Sequence, residues 1–285
     1  MGISDTGHGF PKDHAPLGLP PVSWTSLWTL YHRAAAARRD PALLDDPVAV
    51  ELVDRCAWPL EAWFGRPRTL AVQYLVRRAR LYDAATKDFL RAHPGATVIA
   101  LGEGLETQFW RVDNGTVRWV SVDLPGTVAL RRAVLPHGPR QHTVACSATD
   151  PRWTELAAAE PPVLITAQGL FMYLPPPRAA ALIRLCADRF PRSVLLFDTL
   201  PRWASVLGRS VLARGGTYRF PLQEGARPLA ALLLPYAQGR CAVAVDPIGP
   251  YALGLRVVAG PLLRAQRCRL ARRVPVPAFV RMDFP

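Results

Sequence analysis

Residues 97–123 read TVIALGEGLETQFWRVDNGTVRWVSVD, and the fold is decided within them. The apolar run Val98 to Leu101 stops at an acidic glycine turn, Gly102-Glu103-Gly104. A second run, Val117 to Val122, ends on Asp123. That acid follows the turn by about twenty residues, the separation at which a βαβ unit sets a carboxylate beside a ribose diol. Strand, glycine turn, strand, acid is the order in which a doubly wound sheet holds an adenosine.

The turn also discriminates between ligands. A dinucleotide fingerprint needs a third glycine, so that a helix N-terminus can face a pyrophosphate. Here Leu105, Glu106 and Thr107 follow Gly104. Carboxylates at Glu103 and Glu106 would repel a pyrophosphate and favour a sulfonium with an α-ammonium. S-adenosylmethionine carries those cations and no phosphate, so the turn favours it over a nicotinamide dinucleotide.

Working outward, the same alternation continues. Thr143 to Cys146, Val163 to Thr166 and Val194 to Asp198 read as further strands. Helices are expected over Pro125 to Leu135, Trp153 to Ala159 and Ala179 to Phe190. This predicts an α/β fold, a mostly parallel sheet with helices on both faces. Upstream, Trp24, Leu27, Trp28 and Tyr31 recur at helical spacing behind Ser23, a plausible N-cap. Pro47 suits the first turn of a helix running to Arg55, and a long helix is expected from Leu70 to Ala92. Residues 1–22, rich in glycine, proline and histidine, read as a loose arm. Residues 23–285 read as one domain, with an N-terminal helical cap over 23–92 and a variable C-terminal part over 203–285. In that part, Leu229 to Leu234 reads as a helix, and Val243 to Val245 and Leu255 to Val258 as edge strands.

The chain has 285 residues, half of them hydrophobic and 20% charged, which is the balance of a globular protein. No apolar stretch reaches the ~18 residues of a membrane span, so no membrane role is expected. Five scattered cysteines without a C-x-x-C pair argue against a disulfide framework or a zinc site and fit a reducing cytoplasm. The formal charge of +13 raises nucleic acid as a partner. Yet the charge is nearly all arginine, spread along a chain with 29 prolines, and composition bias accounts for it better.

Six motifs carry a family likeness: SLWTLYHRAAAARRDPALLDDPVAVELVD, RARLYD, VIALGEGLETQFWRVDNG, VRWVSVDLPGTVALRR, CSATDPRW and ITAQGLFMYLPP. Together, over about residues 23 to 203, they resemble the leucine carboxyl methyltransferase family, and within it the bacterial branch of tetracenomycin-type polyketide O-methyltransferases. The resemblance implies a class I methyltransferase fold, with seven mostly parallel strands, one antiparallel edge strand and an added helical cap. It implies S-adenosylmethionine as cofactor and a small-molecule acceptor, a polyketide-like hydroxyl or carboxyl compound, with no nucleic-acid partner.

The resemblance also assigns roles. Arg80 of RARLYD pairs with the cofactor carboxylate. Gly102 and Gly104 admit the methionine part, with Glu103 close by. Asp123, followed by Leu124, accepts from the ribose hydroxyls. Ser147 and Ala148 lie along the adenine, with a serine where many relatives carry an acid. Gln168 takes the place of a glutamate beside the amino-acid end, and Tyr173 lies near methyl transfer. A carboxylate acceptor needs no base, whereas a phenol benefits from one. His137, His142 and Asp198 are candidates by residue type alone. Trp24, Trp28, Tyr31 and the segment Trp203 to Tyr218 could line an acceptor cavity. Two alternatives remain: a protein C-terminal carboxyl methyltransferase, and an NAD(P)-dependent reductase on the same fold.

Overall fold

Strand β1 (Thr97–Leu101) is buried at every position, because both of its faces are covered. Its side chains divide by parity. Ile99 and Leu101 enter one core layer with Trp153, Leu182, Ile183 and Cys186, while Val98 and Ala100 enter another with Tyr82, Phe89, Phe109 and Val112. A strand buried on both faces loses the polar–apolar alternation of a solvent-facing one and reads as a continuous apolar run. This is why β1, β4 (Val163–Ala167) and β5 (Val194–Thr199) stand out in the sequence.

In this computed structural model the described residues are Leu19, 21–200, the backbone of 242–247, and 277–285. Before the sheet come α1 (Trp24–Ala37), α2 (Pro47–Cys56), the short α3 (Leu60–Phe64) and α4 (Thr69–Ala92). Within the sheet region follow α5 (Gln108–Val112), β2 (Arg118–Asp123), α6 (Pro125–Val134), β3 (Gln141–Ala145), α7 (Trp153–Leu156) and α8 (Pro176–Arg189). The strands β6 (Ala242–Pro247) and β7 (Ala278–Asp283) complete seven, in the order β3-β2-β1-β4-β5-β7-β6. The first five are parallel, and β7 runs antiparallel to both β5 and β6.

Two expectations change, one about the sheet and one about a helix cap. The antiparallel strand is internal rather than an edge, since β7 pairs Phe197 with Val280 on one side and Val245 with Val280 on the other. The segment Val243 to Val245 is the edge strand, as read. Ser23 stands at the N-cap position of α1 without capping it: its hydroxyl bonds Thr127 at 2.6 Å instead. By contrast Asp46 does cap α2, accepting from the Ala49 amide, with Pro47 in the first turn. The N-terminal arm through residue 18, the expected helix Leu229 to Leu234, the strand Leu255 to Val258 and the acceptor-lining segment Trp203 to Tyr218 lie outside the described residues. Leu19, at the end of the expected arm, is buried in a cluster with Trp24, Leu27 and Leu60.

The strand order reverses between β1 and β4, which places a crevice at their carboxyl ends, where open α/β sheets bind ligands. Helix α1 lies against this edge: a Cβ on Gly104 would come within 2.7 Å of the Ser26 Cβ. Helix α1 is therefore packed on the glycine turn.

Candidate functional site

At the end of β2, Asp123 turns both carboxylate oxygens to the backbone. Oδ2 accepts from the Gly104 amide at 2.7 Å and Oδ1 from the Leu124 amide at 2.7 Å. Gly104 has φ +57°, the left-handed conformation that aims its amide this way, and its lack of a side chain leaves room for Ser26. Burial raises the Asp123 pKa, and the two amides work against that rise. Each oxygen retains acceptor capacity beyond its one amide, as a diol-binding carboxylate requires. Gly102, Gly104, Asp123 and Leu124 are thus brought together as the sequence predicts.

Glu103 does not face into the loop. It is buried against β2, where it takes the Trp119 indole N–H at 3.0 Å, the Ser121 hydroxyl, and the Arg131 guanidinium at 3.1 Å. Burial raises its pKa and Arg131 opposes the rise. Glu106 is likewise committed, to Arg33 at 2.9 Å and Arg111 at 2.9 Å. Burial would push it up, but the two guanidiniums outweigh that and hold it at about 2. The expectation that these two acids lie bare beside a cationic ligand therefore gives way to a different reading: both are paired with arginine in the apolar interior, where an unpaired carboxylate would be costly.

Around Glu106 an ion network joins the N-terminal helices to the glycine turn. Asp46 meets Arg33 at 3.2 Å and Arg111 at 3.0 Å, and accepts the Thr107 hydroxyl at 2.7 Å. Arg111 continues to Asp83 of α4 at 2.8 Å. Arg33 also donates to the Leu105 carbonyl at 2.8 Å. Asp46 and Arg33 come from the DDPVA and YHRA segments, so these N-terminal motifs anchor α1 and the start of α2 to the chain just after the glycine turn.

Arg80 is the clearest correction. It lies exposed on α4. Arg78, two residues earlier in RARLYD, is the buried one. A two-residue step on a helix turns a side chain by about 200°, so only one of the pair can face inward. Arg78 lies 3.6 Å from Asp198, and a Cβ on Gly169 would sit 2.9 Å from its Nη1. Gly169 has φ +72° and donates its amide to Asp198 at 2.6 Å. Tyr82 also donates to Asp198, at 2.9 Å. Asp198 is therefore fully occupied and buried, a positioning group for the arginine and not a free base. His137 and His142 are exposed, on the loop after α6 and on the outer strand β3.

Gln168, at the end of β4, donates from Nε2 to Glu106 at 3.2 Å, while its buried Oε1 has no hydrogen-bond partner among the described residues. The buried Nε of Arg78 is in the same condition. Gln168 and Arg78, the two side chains beside Gly169, thus each keep one unsatisfied polar atom. Ser147 bonds Thr149 at 3.0 Å and stays partly open, and the Ala148 carbonyl accepts the Trp153 indole at 2.9 Å. Asp150 pairs with Arg152 and accepts its amide at 3.0 Å, a turn-capping role. Tyr173 lies beside Thr25 of α1. Burial raises its pKa, which keeps it a neutral phenol, able to orient a ligand and unsuited to act as a base. Among the described residues no cluster suits a metal ion, and no helix is long and apolar enough to cross a membrane.

A sequence model of the leucine carboxyl methyltransferase family matches residues 26–187. The tetracenomycin polyketide synthesis O-methyltransferase of Streptomyces glaucescens is 31% identical over 185 residues, covering 64% of this chain and 67% of that protein. Among solved structures, a plantazolicin methyltransferase bound to S-adenosylhomocysteine and a substrate analogue aligns with a TM-score of 0.51 and 10% identity, over 92% of this chain and 99% of that one. A small RNA methyltransferase aligns with a TM-score of 0.50 and 10% identity, over 72% of this chain and 25% of that one. At such identities the structural likenesses speak for the fold alone.

Proposed function

Since the chain belongs to the leucine carboxyl methyltransferase family, we propose that it transfers the methyl group of S-adenosylmethionine to an oxygen of a small, polyketide-like molecule. One observation carries the cofactor assignment. Gln168, next to Gly169, keeps an unpaired Oε1, and the Arg78 guanidinium, its Nε also unpaired, lies against Gly169; the two side chains suit the ammonium and carboxylate ends of an amino acid. A nicotinamide dinucleotide offers neither group in that arrangement, which counts against the reductase reading.

In this reading Arg78 takes the role that the motif alone gave to Arg80. Asp123 holds the ribose, Gly102 and Gly104 line the methionine part, Ser147 and Ala148 border the adenine, and Tyr173 helps to place the acceptor. Glu103 acts at one remove by holding the loop through Arg131. When bound, the cofactor supplies a methyl group activated by its sulfonium. The protein's own share is alignment of the acceptor oxygen and exclusion of water. Residues 23–92 serve as a cap on the catalytic domain, and residues 203–285 as its variable part. We place the enzyme in the cytoplasm, acting on a small molecule without nucleic acid. The tetracenomycin relative favours a metabolite acceptor over a protein C-terminus.

Titration calorimetry of S-adenosylhomocysteine tests the reading. The wild type should bind at micromolar affinity, and Asp123→Ala at least tenfold more weakly, about 1.4 kcal/mol. Heat with NADPH and none with S-adenosylhomocysteine would overturn it.

A further inference from the structure

His32 is an unexpected resident of α1. Its ring is buried, with 1% of its surface exposed, and Nδ1 lies 2.8 Å from the Trp28 carbonyl. A carbonyl only accepts, so Nδ1 carries the proton and Nε2 presents a bare lone pair. That Nε2 is buried and has no hydrogen-bond partner among the described residues. Burial lowers the His32 pKa to about 4, against the pull of the Trp28 bond, so the ring is neutral at physiological pH.

The surroundings describe a recognition surface. The Trp28 indole packs on the imidazole with centroids 4.3 Å apart, and Tyr31 meets it edge-on at 5.6 Å. Thr25, Thr29 and His32 recur at i, i+4 and i+7, so they share one face of α1. Thr25 neighbours Tyr173, which ties this face to the end of the crevice. Thr25, Trp28 and Thr29 are only partly buried, so the face is not sealed around the histidine. A buried acceptor without a donor is unfavourable, and folded chains rarely keep one that nothing satisfies.

We infer that His32 Nε2 and the Trp28 indole form an acceptor subsite, in which the imidazole takes a hydrogen bond from a hydroxyl on a flat aromatic acceptor. The inference rests on the methyltransferase reading and narrows its substrate class to hydroxylated aromatics. A carboxylate presents only lone pairs and would oppose the bare nitrogen, so this subsite rejects an acid in the position where it accepts a phenol. His32 is a specificity and positioning residue here, distinct from the groups that hold the cofactor.

The test uses the full-length protein saturated with S-adenosylhomocysteine, with 2-naphthol and 2-naphthoate as matched probes. Naphthol should bind the wild type at least tenfold tighter than naphthoate, and at least tenfold tighter than it binds His32→Phe. The phenylalanine keeps the stack on Trp28 and removes both nitrogens, and it should leave S-adenosylhomocysteine affinity within twofold. In the wild type, naphthol should also shift the ¹⁵N resonance of His32 Nε2, a readout that holds even if the variant fails to fold. Absent naphthol binding, equal affinity for the two probes, equal naphthol affinity in the variant, or an unmoved Nε2 resonance each overturns the subsite. If S-adenosylhomocysteine binds normally in those cases, the methyltransferase reading stands; if it does not bind the wild type, both fall.

Discussion

The arginines of RARLYD show how finely a residue-level assignment depends on rotation about one helix. Arg78 and Arg80 are chemically identical and two positions apart, yet one is buried against Asp198 and Gly169 while the other is exposed. Asp198, Tyr82 and the Gly169 amide together fix the inner one, so its guanidinium is set before any ligand arrives. Preorganisation of that kind spares a ligand the cost of ordering the side chain. Arg78→Lys, which keeps the charge and loses the planar fork, should weaken S-adenosylhomocysteine by at least tenfold, about 1.4 kcal/mol. Arg80→Ala should change it by less than twofold. Calorimetry on the two variants decides between them, and the reverse ranking would return the role to Arg80.

At the scale of elements, what the sequence revealed was whatever burial imposes on residue type. β1, β4 and β5 are covered on both faces, so each appears as an apolar run, and α2 is announced by Asp46 and Pro47. β7 was missed although it lies inside the sheet, because Arg281 and Asp283 interrupt its apolar positions and pair with each other. α3 and α5, at five residues each, are too short to show a period. In the site, Asp123 and the glycine turn were legible because a strand end and a chain reversal leave local marks. The fates of Glu103 and Glu106 were not, since Arg131 and Arg33 lie 28 and 73 positions away in the chain, and Arg111, five residues beyond Glu106, fits no helical or strand spacing that would announce the pair. Asp46 combines both kinds of information. As an N-cap alone, its loss would cost about 1 kcal/mol. Because it also neutralises the buried Arg33 and Arg111, Asp46→Ala should cost about 3–5 kcal/mol in urea unfolding. A loss near 1 kcal/mol would mean that the cap helices are not anchored through this carboxylate.

For the whole molecule, that anchoring has a thermodynamic consequence. Arg33 of α1, Asp46 of α2, Asp83 of α4, Glu106 of the glycine turn and Gln168 at the end of β4 are joined in one buried network. The N-terminal helices and the sheet are therefore coupled by charges that neither could leave unpaired without a large penalty. Coupling this strong makes them one cooperative unit, so heat should melt them in a single transition. A ligand held at Asp123, Gln168 and Arg78 then stabilises the N-terminal helices as much as the strands. At a hundred times its dissociation constant, S-adenosylhomocysteine should add about 2.7 kcal/mol and raise the melting temperature by about 5 °C or more. Calorimetric scanning should show one peak that moves as a whole, with Trp24, Trp28 and Trp63 fluorescence in the helices tracking it. Two peaks, of which only one responds to S-adenosylhomocysteine, would show that the helices open independently of the sheet. The network would then be a local fastening.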